Sequence, residues 1–491
     1  MRRPGPTSTT IRTPTSPIIG EALGSGSSAA LTWRPIRSAV GAVSKPSLLA
    51  VAGLFLAAPA RGQEPAQGLG FDVERYEVAL APDVAAGSVA GTEEIAFRST
   101  VAALSSLTFS ANGLAVDEAS VGGRPARVAS TPRGLRFELP VPLAKGARAV
   151  LRLRYRGVPR RGVTAAGDLL YTSYFACDWM VCLQDSPGDK AMFGLEIGVP
   201  PGLSSLSAGR MKRGAGLRRD PSVQRWETAR PYSPYLFGFA IGKFTQASAR
   251  AGSTQLLYLA PGLSEAELRR LFAETPAIVR FMAGKAGVPL PGGRYTQLLV
   301  PGSEAQEAAT FSLIGRPELE RDSADPQGGW VVAHELAHQW WGNLVTASTW
   351  RDFWLNEGIA TFMTAAWKEN RHGRAAYQAE LDVARRRLAR ARDAGWDRPL
   401  AFAGSYPSLP IRRAIQYSKG ALFMDHLRTL LGDDSFWRGL RRFTRRNAGA
   451  AVTSADFQRA MEQASRRDLS VEFREWVFGP PPPAPPGAEI R

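Results

Sequence analysis

Lysine is scarce in this chain: only eight of its 61 basic residues are lysine, the rest arginine. The formal charge of +17 comes with no dense basic run interleaved with aromatics. No recognisable nucleic-acid module is present either, so specific nucleic-acid binding is not expected. Arg385, Arg386, Arg387, Arg390 and Arg392 read as one solvated helix face. Cysteine is nearly absent. Cys177 and Cys182 allow either one bridge across a short loop in an oxidising compartment or two half-buried thiols, and the sequence leaves both open. No apolar run approaches the roughly 20 residues that a membrane span needs, and no internal repeat is visible. What remains is ordinary globular material. Hydrophobic residues at 44% and aromatics at 9% of 491 residues are enough for packed cores, at a length that suggests about three domains.

The opening residues, 1–60, do not read as fold. They are rich in Pro, Ser, Thr and Gly, turn apolar over 48–58 behind Lys45, and end in Ala58-Pro59-Ala60. This is the pattern of a secretory signal peptide behind a long low-complexity leader, cut after Ala60. It predicts a chain exported to the periplasm or beyond the cell, with no membrane span in its mature form. No cysteine stands at the cut to carry a lipid anchor.

From residue 71 to about 244 the texture is short alternating runs broken by Gly and Pro. Examples are Tyr76-x-Val78-x-Leu80, Leu135-x-Phe137-x-Leu139 and Leu151-x-Leu153-x-Tyr155. Period-two alternation predicts half-buried strands and an all-β first domain. Near Ala251 the pattern changes. Ser264-Glu265-Ala266-Glu267 is a capping box that opens a helix carrying Leu268, Leu271, Phe272 and Val279 near one stripe. A strand over 296–300, a histidine-bearing helix and further amphipathic helices follow, to about residue 478. The prolines of 480–486 cannot continue a helix.

Chemistry concentrates in His334-Glu335-Leu336-Ala337-His338, with Glu357 further on in Asn356-Glu357-Gly358. Positions i and i+4 share a helix face, so both imidazoles can converge on one zinc ion. Glu335 is rotated off that axis, where it can hold a water instead of ligating. A carboxylate from a second helix, Glu357, would complete three ligands and leave a position open for reaction. Zinc so held lowers the pKa of water and polarises a carbonyl. Glu335 would then take a proton from the attacking water and pass it to the leaving amine. The developing oxyanion needs a further donor, and the phenol of Tyr417, in Tyr417-Ser418-Lys419-Gly420, is the candidate. The bland alternatives are two satisfied core histidines and a tyrosine that only packs. His372 and His426 have no such company and read as surface or structural residues.

The stretch Val331-Val332-Ala333-His334-Glu335-Leu336-Ala337-His338-Gln339-Trp340-Trp341-Gly342-Asn343, together with Trp354-Leu355-Asn356-Glu357-Gly358 and Tyr417-x-Lys419-Gly420, resembles the gluzincin aminopeptidases, the family of aminopeptidase N and leukotriene hydrolase. Asp185-x-Pro187-x-x-Lys190 and Tyr232-Ser233-Pro234-Tyr235-Leu236 resemble signatures of that family's β domain. The resemblance implies a multidomain β plus α/β protein. A linker at 61–72 would lead to a saddle-like β domain at 73–248. A thermolysin-like, mainly helical zinc peptidase domain would occupy 252–478, and a proline-rich tail 479–491. It implies one zinc on His334, His338 and Glu357, peptide substrates, and removal of N-terminal residues. Asp352 could orient a zinc histidine, or simply sit at a helix start.

Two departures from the family pattern stand out. The Met-Glu-Asn segment whose glutamate binds the substrate's amino group is absent, and the stretch Gly302-Ser303-Glu304-Ala305-Gln306-Glu307 stands in its place. Glu304 or Glu307 could still pair with an ammonium, or both could be solvated. After Tyr417 the sequence offers about one helical hairpin, with no large C-terminal helical domain, which suggests an open cleft that admits longer peptides. The leading expectation is an exported zinc aminopeptidase. The alternatives are an endopeptidase or other hydrolase on the same scaffold, and a non-catalytic binding protein. On this reading Glu335→Gln keeps zinc stoichiometry by elemental analysis and abolishes turnover; retained peptidase activity would remove Glu335 as the base.

Overall fold

Alternation builds the first region as expected. In the computed structural model, which describes residues 69–132, 134–212 and 222–479, Tyr76, Val78 and Leu80 are buried along the strand Phe71–Asp83. So are Leu135, Phe137 and Leu139 along Gly134–Leu143, and Leu151, Leu153 and Tyr155 along Arg148–Gly157. Successive side chains point to opposite faces, so each strand buries one set and exposes the other. The expected leader 1–60, residues 61–68 of the linker and the tail beyond Gly479 lie outside the described residues.

The largest sheet has eight strands. In spatial order they are Arg210–Lys212, Val223–Glu227, Met192–Gly198, Phe71–Asp83, Ser88–Ser99, Arg148–Gly157, Ala115–Val121 and Arg124–Pro125. All pairs are antiparallel except Phe71–Asp83 with Met192–Gly198, which are parallel. Smaller sheets of three and four strands complete the region. Cys177 and Cys182, both buried, are joined in a disulfide.

The second region opens on a five-stranded sheet in the order Thr245–Ala251, Thr254–Ala260, Arg294–Val300, Phe311–Gly315, Ala305–Gln306. The strand Thr245–Ala251 straddles the expected boundary at 248, and its pairing with Thr254–Ala260 assigns it wholly to this second sheet. Thr245–Ala251 and Ala305–Gln306 are its two edges. The Ser264 capping box is present, with Ser264 accepting from the Glu267 amide. The single helix expected there is two, Glu265–Leu271 and Thr275–Ala286, because Pro276 lies in the first turn of the second and cannot continue the first. Beyond Tyr417 there is more than one hairpin: Gly420–Leu431, Asp433–Arg446, Ser454–Ser465 and the short Ser470–Phe473. Gly432 and a second capping box, Thr453 with Asp456, divide them.

The two regions share a core. The cluster under the large sheet takes in Leu259, Leu298, Phe311 and Leu313 from the second sheet, and also Phe353. Polar contacts cross as well. The buried Lys190 donates through Nζ to the Asn343 and Leu344 carbonyls, both at 3.1 Å. Burial first, then the nearby Arg230, pull its ammonium down to about 7. Those two carbonyls directly follow the histidine-bearing helix, so the first region fixes the path of the chain leaving it.

Candidate metal centre

Both histidines rest on the helix Trp330–Ala337 and its C-terminal residue His338. The His334 ring lies between aromatic faces. It stacks on Trp330 at 4.4 Å and on Tyr417 at 5.8 Å, centroid to centroid. The His338 ring is set by hydrogen bonding, its Nδ1 lying 3.0 Å from the Trp341 carbonyl. A carbonyl only accepts, so Nδ1 carries the proton and Nε2 keeps its lone pair for a ligand. Glu357 stands in the first turn of the helix Trp354–His372.

The three groups meet. The His334 and His338 Nε2 atoms are 3.2 Å apart, and Glu357 Oε2 lies 3.4 Å from the first and 3.3 Å from the second. Glu357 Oε2 has no hydrogen-bond donor. Three inward-facing electron-pair donors need a cation. A regular tetrahedron with such edges has its corners about 2.0 Å from its centre, which is the length of zinc bonds to nitrogen and oxygen. The residues therefore fit zinc.

Beside this triangle Glu307, Glu335 and His338 bring their ligand atoms within 4.8 Å of one another. Burial pushes Glu335 well up from the usual carboxylate range and Glu307 to about 7, with His338 opposing both shifts. Burial lowers His338, yet the charges of Glu357 and Glu307 outweigh it and raise the ring to about 10, so a proton and a metal ion compete for its Nε2. Burial would raise Glu357 too, but His338 and His334 hold it well below its ordinary value. Three carboxylates crowded in low dielectric repel one another, and a divalent ion relieves that repulsion.

Tyr417 sits in a π-helical segment, Arg413–Lys419, whose widened turns are frequent at functional positions. Its approach depends on two glycines. A Cβ on Gly358 would stand 2.8 Å from the Gly420 Cα and 3.1 Å from the Gln416 carbonyl oxygen. Glycine after Glu357 thus lets the two ligand-side helices touch backbone to backbone. Burial, then the charges of Glu357 and Glu307, keep the phenol well above its ordinary pKa and so protonated, as a donor.

Of the two glutamates proposed for an amino group, the structure brings only Glu307 to the centre. Glu304 faces the Tyr171 hydroxyl, 3.3 Å from both carboxylate oxygens. Asp352 does not reach a histidine. Its Oδ1 accepts from the Ser454 amide and hydroxyl, where it anchors the start of the helix Ser454–Ser465. His426 stacks on Trp476, away from the centre.

Residues whose positioning roles sequence reasoning missed surround the site. Asn343 Nδ2 donates to the Glu307 and Ala308 carbonyls, and Gln339 Nε2 to the latter. Asn356 bridges the Tyr235 hydroxyl and the Ala347 amide. All four of these side chains lie inside the quoted motifs, which was the available signal. Tyr174 had none. Its backbone is left-handed (φ 58°), unusual for a residue other than glycine. Its hydroxyl donates to the Ala305 carbonyl at 2.7 Å and accepts from the Ala305 amide at 3.2 Å.

Comparison with known proteins agrees with this geometry. Residues 306–476 match the Peptidase family M1 domain. Leucine aminopeptidase 2 of Aspergillus oryzae is 28% identical over 325 residues, 62% of this chain and 51% of that protein. Aminopeptidase N of Lactococcus lactis is 28% identical over 63% of this chain and 38% of its own length. The chain thus spans about half or less of these relatives. Leukotriene A-4 hydrolase of Xenopus laevis is 23% identical over 85% of this chain and 73% of its own. Among solved structures, the M1 zinc metallopeptidase from Deinococcus radiodurans superposes with a TM-score of 0.68 at 25% identity, covering 86% of this chain and 97% of the other.

Gly358→Ala should lower the unfolding free energy by about 1–3 kcal/mol, since backbone, not a movable side chain, blocks the added methyl. Urea denaturation measures it; an unchanged midpoint would mean that the two helices part without cost.

Proposed function

We propose that this chain, which belongs with the gluzincin zinc metallopeptidases through its peptidase family M1 domain, is an exported aminopeptidase that removes N-terminal residues from peptides. Zinc is its cofactor, and His334, His338 and Glu357 would hold it. When bound, zinc makes a water nucleophilic near neutral pH and polarises the scissile carbonyl. Glu335, buried with one carboxylate oxygen unpartnered, takes the proton of the attacking water and returns it to the departing amine. The Tyr417 hydroxyl donates to the carbonyl oxygen as that oxygen becomes negative. Glu307 receives the substrate's ammonium in a charge-assisted hydrogen bond.

One observation carries the exopeptidase reading: Glu307 lies with Glu335 and His338. A carboxylate beside the base ends the cleft in negative charge, which suits a free amino terminus and opposes a continuous peptide. Export rests on the leader and Ala58-Pro59-Ala60.

Free amino-acid amides should be hydrolysed and their N-acetylated forms should not. Glu307→Gln should raise KM for the free amides, by roughly the 1.5–3 kcal/mol of a charged hydrogen bond. Comparable turnover of the acetylated substrates would favour an endopeptidase. Absence of turnover with stoichiometric zinc would favour a binding protein.

Tyr174 should set how far a peptide can extend. The Ala305–Gln306 strand is a sheet edge to which an extended peptide could add, but the Tyr174 phenol occupies both polar groups of Ala305. Tyr174→Phe frees them. It should raise kcat/KM for tri- and tetrapeptides relative to dipeptides by up to about tenfold, the worth of one neutral hydrogen bond. A ratio that does not change with peptide length would contradict this role.

A further inference from the structure

The last helices present a surface of one sign, well apart in sequence from the metal ligands. Along Asp433–Arg446, residues Arg438, Arg441, Arg442 and Arg445 recur at intervals of three and four, so they form a single stripe, with Arg446 beside it. Arg466 joins them from the end of the helix Ser454–Ser465, in left-handed backbone (φ 56°). These six line an open cavity of about 780 Å³.

Acceptors within the protein account for half of them. Arg438 donates to the Ala464 carbonyl at 3.1 Å, and Arg445 to the Gly287 carbonyl at 2.7 Å, each at the C-terminal end of a helix. Arg442 donates to the Gln463 side-chain oxygen at 3.0 Å. Such contacts fix the wall. The side chains of Arg441, Arg446 and Arg466 have no hydrogen-bond partner among the described residues, and none of the six has a carboxylate within ion-pair reach there. On the helices Arg374–Asp393 and Gly420–Leu431 the pattern differs. Arg385 pairs with Asp382, Arg392 with Asp397, and Arg428 with Asp433 and Glu369. Like charges at three- and four-residue spacing oppose the helix that carries them. An uncompensated guanidinium stripe is therefore a local cost that an anion would relieve.

We infer that this cavity binds a soluble oligophosphate. Guanidinium forks match phosphate oxygens in pairs. Seven residues separate Arg438 from Arg445, which puts the stripe at about 10 Å along the helix axis. That length suits several linked phosphates better than one. The concavity favours an anion that can enter over the flat face of a bilayer, and the lining, arginine with Gln463 and Ser465, offers little to an apolar ligand. This inference does not depend on the peptidase reading.

The test is calorimetric titration of the full-length, zinc-loaded protein with sodium tripolyphosphate, at low and at near-physiological salt. The comparison is a variant with Arg441→Ser, Arg446→Ser and Arg466→Ser, which leaves all three wall-fixing contacts intact. Wild type should bind tripolyphosphate at least tenfold more tightly than orthophosphate and weaken as salt rises. The triple variant, with a melting temperature no lower than that of wild type, should lose at least tenfold in affinity. Any interaction of tripolyphosphate with the metal is common to both proteins, so the difference between them reads the cavity. Equal affinity in the two proteins, no preference over orthophosphate, or binding only to anionic phospholipid vesicles would each overturn the proposal.

Discussion

Three electron-pair donors converge within 3.4 Å of one another, an arrangement that a divalent cation between them stabilises, and much of the surrounding architecture holds them there. The rings are fixed by different means: His334 by aromatic faces and His338 by the Trp341 carbonyl. Glu357 depends on the crossing of Gly358 over Gly420. Each constraint acts on a side chain already close to its partners, so little reorganisation would be needed to hold an ion there. Preorganisation of this kind is how a scaffold turns modest contacts into a selective site.

The same logic extends outward to Glu307, which lies beside Glu335 and His338. Glu307 follows an edge strand of only two residues, Ala305–Gln306, a weak support taken alone. Its backbone is steadied from one side by Gln339 and Asn343 and from the other by the first region, where the Leu236 carbonyl accepts from the Ala309 amide. Thr310 adopts φ 72° to make the turn into Phe311–Gly315. The glutamate's direction is therefore set by two side chains beyond the histidine-bearing helix, one backbone hydrogen bond from the first region and the turn at Thr310.

How much of this was legible in the sequence depended on the range of each interaction. The two histidines were readable because i and i+4 always share a face. Glu357 was readable because its helix follows soon after. Glu304 and Glu307 could not be told apart. An odd interval in extended chain sends them to opposite sides, so one alone could face the metal, and only the pairing of Ala305–Gln306 with Phe311–Gly315 decided which. The Cys177–Cys182 spacing served a bridge and two thiols equally well. Asp352 was left open between two roles because its partner, Ser454, lies 102 residues away. Tyr174 was invisible for the same reason, its hydroxyl meeting Ala305 at a separation of 131 residues. Alternating strands were plain from period-two burial, whereas the split at Pro276 shows a single residue overriding an otherwise continuous apolar stripe.

Lys190 reaches from the first region to the Asn343 and Leu344 carbonyls, and Tyr235 to Asn356. A fragment beginning near residue 245 would carry both imidazoles, Glu335 and Glu357, yet would leave those acceptors and the Asn356 amide bare and lose the floor of its core. The metal centre is therefore a property of the two regions folded together, and separating them should cost the second its shape before it costs any of the converging side chains.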